Sequence, residues 1–353
     1  MGSVVDLRSD FIARPSDAML EAAARAARGP LFFGLREDPW QQKLEARMAE
    51  LLGCEDTLIF PTCTMANTVA VLLSAQPGER LLVQPQAHMM LSEAGAAAAW
   101  AGVIPEVVTA QSNDEAADVV LPPITAWREA MSVAADAQRS RVAMCALENT
   151  HNRGGGLPLP VAATHAIAEL AHTCGARAHL DGSRLFQAAT ALGVPLATLA
   201  NGFDTVSVSL NKAFGAPVAA VLGASRSDIA RALVLRQRLG GGLRPVGPSC
   251  AATLTGLDDL SHLAGVQALA RRLATGLQTQ GLNVVSPLNI TSLVLVRLGG
   301  SLGAADFVQR CSALGLLALQ MDARHVRFAL YRGVTNVDID QALAAVRVAL
   351  ATG

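Results

Sequence analysis

From residue 58 onward, short apolar runs alternate with stretches whose apolar residues recur every three or four positions. Strand-like runs fall at 58–60, 81–84, 103–108, 141–147, 176–180, 204–210 and 218–222. Helical patterns lie between them, beginning near Thr64 and then at 92–101, 123–134, 161–174, 184–192 and 226–239. Regular alternation of this kind predicts parallel strands with helices on the faces of the sheet. The run 218–222 follows 204–210 too closely for a helical crossover, so one strand is expected to be antiparallel in an open sheet.

Before that region, Ser16 is placed to cap a helix that stops at Gly29. Asp38-Pro39 opens another, with Gln41 positioned to close a capping box and Gly53 ending it. After Gly240-Gly-Gly242 the pattern changes. A long Ala/Leu-rich helix is expected over about 248–280, then strand 292–298, helix 304–314, strands near 316–320 and 325–330, and helix 336–350. The expected organisation is a large domain at 1–250, including an N-terminal arm at 4–12, and a small C-terminal α/β domain at 251–353.

Composition narrows the class. Of 353 residues, 51% are hydrophobic and 16% charged, with a formal net charge of −1. Such a balance argues against nucleic acid or an acidic membrane surface as partner. The apolar residues are dispersed, and no stretch of about 20 has the character of a spanning helix. Six cysteines stand singly, without metal-ligand spacing, as suits a reducing cytoplasm, and the start of the chain has no leader pattern. No metal site is expected.

The sharpest chemical signal is a residue choice. Among 28 basic residues the chain has two lysines, Lys43 and Lys212. Lysine can lose its proton and form an imine, which arginine cannot. Lys212 ends the 204–210 strand in Asn211-Lys212, where open α/β sheets place ligands. Three other strand ends carry candidates. Thr62-Cys63-Thr64 makes either a phosphate cradle at a helix N-terminus or plain N-capping by Thr64. His88 is either a ring-stacking, proton-moving residue or a satisfied loop histidine. Asp181 and Arg184 either face a protonated heterocycle and a carboxylate or pair with each other. An imine lysine, an acid for a pyridine nitrogen, a stacking histidine and a phosphate cup together describe a pyridoxal-phosphate site.

The residues also carry a family likeness. The segments Asp6-Leu-Arg-Ser9-Asp10, Gly34 with Glu37-Asp38-Pro39, Thr64-Met-Ala-Asn67, Glu93-Ala-Gly95, Leu147-Glu-Asn-Thr-His-Asn-Arg-Gly-Gly-Gly156, His179-Leu-Asp-Gly-Ser-Arg184, Asn211-Lys212 and Gly240-Gly-Gly242 with Arg244 span nearly the whole chain. With them the chain resembles the low-specificity L-threonine aldolase and β-eliminating-lyase family of fold-type I pyridoxal-phosphate enzymes. The resemblance implies a large domain with a mostly parallel mixed sheet and a small C-terminal domain. It also implies aldol cleavage or synthesis of β-hydroxy-α-amino acids, yielding or using glycine and an aldehyde. β-Elimination, racemisation or aldehyde exchange is the alternative outcome at the same site.

Residue by residue, it implies that Lys212 holds pyridoxal 5′-phosphate as an imine and that Asp181 keeps the pyridine nitrogen protonated. His88 stacks on the ring and helps move the hydroxyl proton. Thr62, Cys63 (through its N–H) and Thr64 cup the phosphate. Arg244 reaches a neighbouring subunit's phosphate in a homodimer or homotetramer, and Ser9, Arg184 and Arg327 bind the substrate carboxylate. Five departures bear on the substrate pocket. Phe11 stands where Thr is usual, Phe33 where Tyr is expected, Cys63 for Gly and Pro245 for Gln; residues 111–146 hold no histidine, where the family carries a second one. They point to an altered, more apolar pocket.

Overall fold

The computed structural model describes residues 4–109, 120–132, 135–212 and 214–351. All seven strand-like runs form one sheet: β1 (Asp56–Phe60), β2 (Arg80–Val83), β3 (Ile104–Val107), β4 (Val142–Glu148), β5 (Arg177–Gly182), β6 (Thr205–Ser209) and β7 (Ala220–Ala224). The spatial order is β1-β7-β6-β5-β4-β2-β3. Strand β7 is antiparallel to both neighbours, and every other pairing is parallel. The fold is therefore α/β with a mostly parallel mixed sheet. The helix expected at 123–134 is described as Ile124–Ser132, and residues 133–134 lie outside the described residues.

Helices cover both faces. Hydrophobic side chains from 161–173, 185–192 and 39–52 pack on one face, while those of Cys63–Ser74 and Arg226–Arg238 pack on the other. A third cluster lies around Leu273, Leu277, Phe307, Phe328 and Val346 and belongs to the C-terminal part. There Leu293–Arg297 pairs antiparallel with both His325–Ala329 and the short strand Asn283–Val284.

Three local expectations change. The long helix over 248–280 is two helices, Gly247–Leu257 and His262–Thr279. The interruption falls at Asp258-Asp259, where the Asp259 carboxylate accepts from the backbone N–H and hydroxyl of Ser261 and so competes with the helical ladder. Asp38 caps as expected, accepting from Trp40 N–H at 2.8 Å, but Gln41 does not close a capping box. Its amide turns inward to Glu45, at 2.9 Å. The cap of Cys63–Ser74 is Thr62, not Thr64, with Thr62 Oγ1 accepting from Met65 N–H at 3.1 Å.

The N-terminal arm is what joins the two parts at the site. Val5–Asp6 pairs parallel with Leu316–Leu317, and the Leu7 carbonyl accepts from Ala329 N–H at 2.7 Å. Leu7 is fully buried in the C-terminal cluster, a burial worth about 1.5–3 kcal/mol. Beyond it the chain turns at Ser9, and residues 13–14 pass over Gly215. That glycine needs to be one: its φ is +66°, and a Cβ there would lie 2.6 Å from the Arg14 carbonyl. The arm is thereby pinned beside the turn that carries Lys212.

Candidate active site

A cavity of about 330 Å³ opens at the C-terminal end of the parallel strands, between the sheet, the arm and the 319–321 segment. Lys212, His88, Ser9, Arg184 and Arg327 all line it, together with Phe11 and Asn152. Lys212 is only 5% exposed, and its Nζ sits 4.9 Å from the centroid of the Phe11 ring. Burial, followed by the Arg184 charge, pushes the amine's pKa below its ordinary value; Cys63, Asp10 and Asp181 oppose the shift without cancelling it. A lowered amine pKa is the direction that imine chemistry needs.

Asp181, near the end of β5, is the second fixed charge. Its Oδ1 accepts from the N–H and hydroxyl of Ser183 at 3.1 and 2.8 Å, and its Oδ2 from Asn67 Nδ2 at 3.0 Å. Burial alone would raise its pKa. The charges of His88 and Lys212 and the Ser183 hydrogen bond outweigh burial and hold the carboxyl below its ordinary pKa. Arg184 does not pair with it. The guanidinium is turned to Asp10, with a third donor on Asn152 Oδ1 at 3.1 Å.

Asn67 fixes the protonation states around it. Its amide nitrogen donates to both Asp181 and Glu93, the latter at 2.9 Å, so its oxygen must face Ser207 Oγ at 2.6 Å and His179 Nε2 at 3.1 Å. Burial drives the His179 pKa down to about 4, so the ring is neutral; Nε2 carries its proton and Nδ1 accepts from Thr205 Oγ1 at 2.8 Å. The same reasoning applies to His88. Its Nδ1 lies 2.9 Å from Glu93 Oε1, so Nδ1 carries the proton and, in the neutral ring, Nε2 is the basic nitrogen. Burial lowers the His88 pKa, but the Glu93 hydrogen bond and the charges of Asp181 and Glu148 together raise it above 6.5.

Arg327 holds the opposite wall. Nη1 donates to Asn152 Oδ1 at 2.7 Å and Nη2 to the Arg8 carbonyl at 3.0 Å, while its buried Nε has no hydrogen-bond partner among the described residues. Burial, then the Arg184 charge, lowers its pKa to about 10, which still leaves it cationic at neutral pH. Thr62, Cys63 and Thr64 stand at the start of the 63–74 helix and do not line this cavity. Cys63 is nevertheless close enough to Lys212 and Asp181 to feel both charges, and burial pushes its thiol up to about 11. Arg244 is exposed, with its guanidinium 5.0 Å from the Phe33 ring centroid, and Phe33 is itself 81% exposed.

Of the sequence departures, Phe11 reaches the cavity wall, whereas Phe33 and Cys63 do not line it. Hollows of about 720 and 770 Å³ lie by the other end of the strands, around Asp204, Arg177 and Glu55. They are larger, but they contain neither an amine nor a strand-end carboxylate facing one.

The family profile described as Beta-eliminating lyase matches residues 6–298. The chain belongs to the β-eliminating lyase family. It is 33% identical to low-specificity L-threonine aldolase 1 of Arabidopsis thaliana, over 99% of this chain and 97% of that one. It is 34% identical to a low specificity L-threonine aldolase of Escherichia coli O157:H7, covering 96% and 95% respectively. Among solved structures, Leishmania major threonine aldolase superposes with a TM-score of 0.80 at 18% identity, covering 98% of this chain and 99% of that one. A serine palmitoyltransferase variant from S. paucimobilis with a bound PLP–myriocin aldimine superposes at 0.76 and 15% identity, covering 99% and 88%. As a member of this family the chain is a lyase.

Sequence reasoning gave no role to Asp10, Asn67, Glu93, Glu148 or Asn152, although each lies in a segment that carried the likeness. The Glu148 carboxylate accepts from His88 N–H at 2.7 Å and from Asn152 N–H at 2.8 Å, tying the two walls together. Asn152 in turn accepts from both Arg184 and Arg327. Dense polar residues in an otherwise apolar chain were the available signal; which of them touch was not readable from spacing.

Proposed function

We propose that the chain is a pyridoxal-phosphate-dependent aldolase that cleaves β-hydroxy-α-amino acids to glycine and an aldehyde, or joins them in reverse. The observation that carries this reading is the juxtaposition of Lys212, a buried amine with a lowered pKa, with His88 and Arg327 in one cavity beside the ionised Asp181. The names of the curated relatives support it.

The donor set fits the cofactor. Lys212 supplies the amine for an imine bond, Asp181 a fixed negative charge for a pyridine N–H, and the first turn of Cys63–Ser74, with Thr62 and Thr64, free N–H groups for a phosphate. When bound, the cofactor supplies an electron sink for the charge left on the α-carbon as the Cα–Cβ bond breaks. The chain's own residues do the rest. Arg327, with an unused N–H and Ser9 beside it, receives the substrate carboxylate. Arg184 has three donors engaged by Asp10 and Asn152, and offers the others to the cofactor and the same carboxylate. Neutral His88 takes the β-hydroxyl proton at Nε2 while Glu93 holds the ring.

The reading includes a homo-oligomer, a dimer or tetramer, in which Arg244 serves a neighbouring subunit's phosphate. Its support is that Arg244 and Phe33 stack on one another at the surface, away from their own chain's cavity. It also places the chain in the cytoplasm, in keeping with six free thiols; no helix among the described residues is long and apolar enough to cross a membrane. The division into a large domain at 1–250 and a small one at 251–353 belongs to the same reading.

The test is direct. Purified protein loaded with pyridoxal phosphate is given threonine, allo-threonine and β-phenylserine, and glycine is quantified against aldehyde. Equal amounts of the two are expected, and Lys212→Ala should reduce both to background. Consumption of the amino acids without glycine would replace the aldolase with an eliminating or racemising enzyme.

A further inference from the structure

Four arginines line the cavity, and only two of them have a carboxylate. Arg8 is held by Asp6, with Nη2 at 2.6 Å, and Arg184 by Asp10. Arg327 and Arg153 have none within 4.0 Å among the described residues. Arg153 donates from Nη1 to the Met321 carbonyl at 3.1 Å, and its Nε, like that of Arg327, is buried without a hydrogen-bond partner among the described residues. The nearby Asp322 does not serve as its counter-ion. That carboxylate is taken by His325, whose Nδ1 lies 2.8 and 3.0 Å from its two oxygens. The two guanidiniums are also close enough for the Arg153 charge to depress the pKa of Arg327, after burial and Arg184 and against the opposing Asp10 charge.

Two guanidiniums without a paired carboxylate face one small space, and each has room for an anion. A simple β-hydroxy-α-amino acid brings one carboxylate, and Arg327 is placed to take it. We propose that the β-substituent of the preferred substrate ends in a second anionic group, a carboxylate or a phosphate, which Arg153 receives. The inference rests on the aldolase reading. Phe11, Leu319 and Met321 share the wall with Arg153, and an apolar surround strengthens a charge pair by excluding water. The planar fork of arginine suits either anion. For the shortest carboxylate case, 3-hydroxyaspartate, the Cα–Cβ bond breaks, the hydroxyl proton passes to His88, and Cα gains a proton. The products are glycine and glyoxylate, and the atoms balance with no other reactant.

The experiment compares threonine, 3-hydroxyaspartate, its neutral isostere 3-hydroxyasparagine, and 4-hydroxythreonine carrying a terminal phosphate, with wild type, Arg153→Gln and Arg153→Lys. One acidic substrate should exceed the neutral ones in kcat/KM by about tenfold or more. The carboxylate and phosphate arms tell the two anions apart. Arg153→Gln should erase that preference while leaving threonine within about threefold, and Arg153→Lys should keep part of it. Calorimetry on the cofactor-free protein gives a readout without turnover: succinate should bind more tightly than butyrate, and Arg153→Gln should remove the difference. If Arg153→Gln lowers every substrate alike, or wild type prefers neutral substrates, the proposal is wrong. If no substrate releases glycine but succinate still binds through Arg153, the aldolase reading fails and the second anion site stands.

Discussion

Arg184 and Asp10 are clasped by two parallel hydrogen bonds, Nε to Oδ2 at 2.7 Å and Nη2 to Oδ1 at 2.9 Å, across 174 residues of sequence. Both side chains are buried, with Asp10 wholly enclosed. Burial would raise the Asp10 pKa, but the Arg184 charge and hydrogen bonds, with help from Lys212 and Arg327, hold it below the ordinary carboxylate value. The pair locks the N-terminal arm onto the end of the sheet and sets the height of Phe11 over Lys212.

Removing one member leaves the other as a buried, uncompensated charge. Asp10→Asn should therefore lower the unfolding free energy by about 3–5 kcal/mol, measured by urea denaturation. Asp10→Asn combined with Arg184→Gln should cost less than the sum of the single changes. Strict additivity would show that the pair does not act as a unit. Because a depressed carboxylate pKa stabilises above the unfolded value, the Asp10 contribution is present at neutral pH. It is lost as pH falls through the folded-state pKa, which lies below 3.8.

His88 should govern the acid limb of activity. As a base it works only when neutral, so kcat/KM should rise with pH through a value above 6.5, the direction in which its neighbours shift it. Glu93→Gln removes the carboxylate charge beside Nδ1, so the inflection should move to lower pH. His88→Phe keeps a ring in place but no base, and should lower kcat by about 10²–10⁴-fold while cofactor binding persists. An acid limb unchanged in Glu93→Gln would assign the base elsewhere.

How much of this was readable beforehand depends on the range of the interaction. The seven strands were legible because apolar β-branched runs of four to seven residues separated by helical periods have few other solutions. Lys212, Asp181 and His88 were legible because each chemistry-bearing side chain sits at a strand end. The helix break at 258–261 was missed because an Ala/Leu-rich period hides a side chain to backbone competition at Asp259. The partner of Arg184 was missed for a different reason. Asp10 and Arg184 meet only because the arm first pairs with Leu316–Leu317, a contact that no local pattern announces. Asn67 is similar: its four bonds reach Glu93, Asp181, His179 and Ser207, all on other elements.

Thr62 gives a separable test of the phosphate end. It caps the 63–74 helix through Met65 N–H, and losing such a cap costs about 0.5–2 kcal/mol. Thr62→Ala should show that loss in thermal unfolding of the cofactor-free protein. If the turn also holds the phosphate, pyridoxal phosphate affinity should fall further than that of phosphate-free pyridoxal. Equal losses for the two cofactor forms would confine Thr62 to capping.

The shared-site assignment of Arg244 makes the strongest demand, because it predicts activity from two crippled proteins. Arg244 stacks on Phe33 at the surface and does not line the cavity of its own chain. If it serves a neighbour, Arg244→Ala and Lys212→Ala place their defects in different sites of a mixed dimer. One site then carries both changes, and the other carries Lys212 from one chain and Arg244 from its partner, both intact. Random reassociation makes half the dimers mixed, each with one good site, so roughly a quarter of wild-type activity should return on mixing. Each variant alone should stay low, and dilution before mixing should speed the recovery by promoting exchange. If Arg244 acts within its own subunit, every mixed dimer keeps one site lacking Lys212 and one lacking Arg244, and mixing restores nothing.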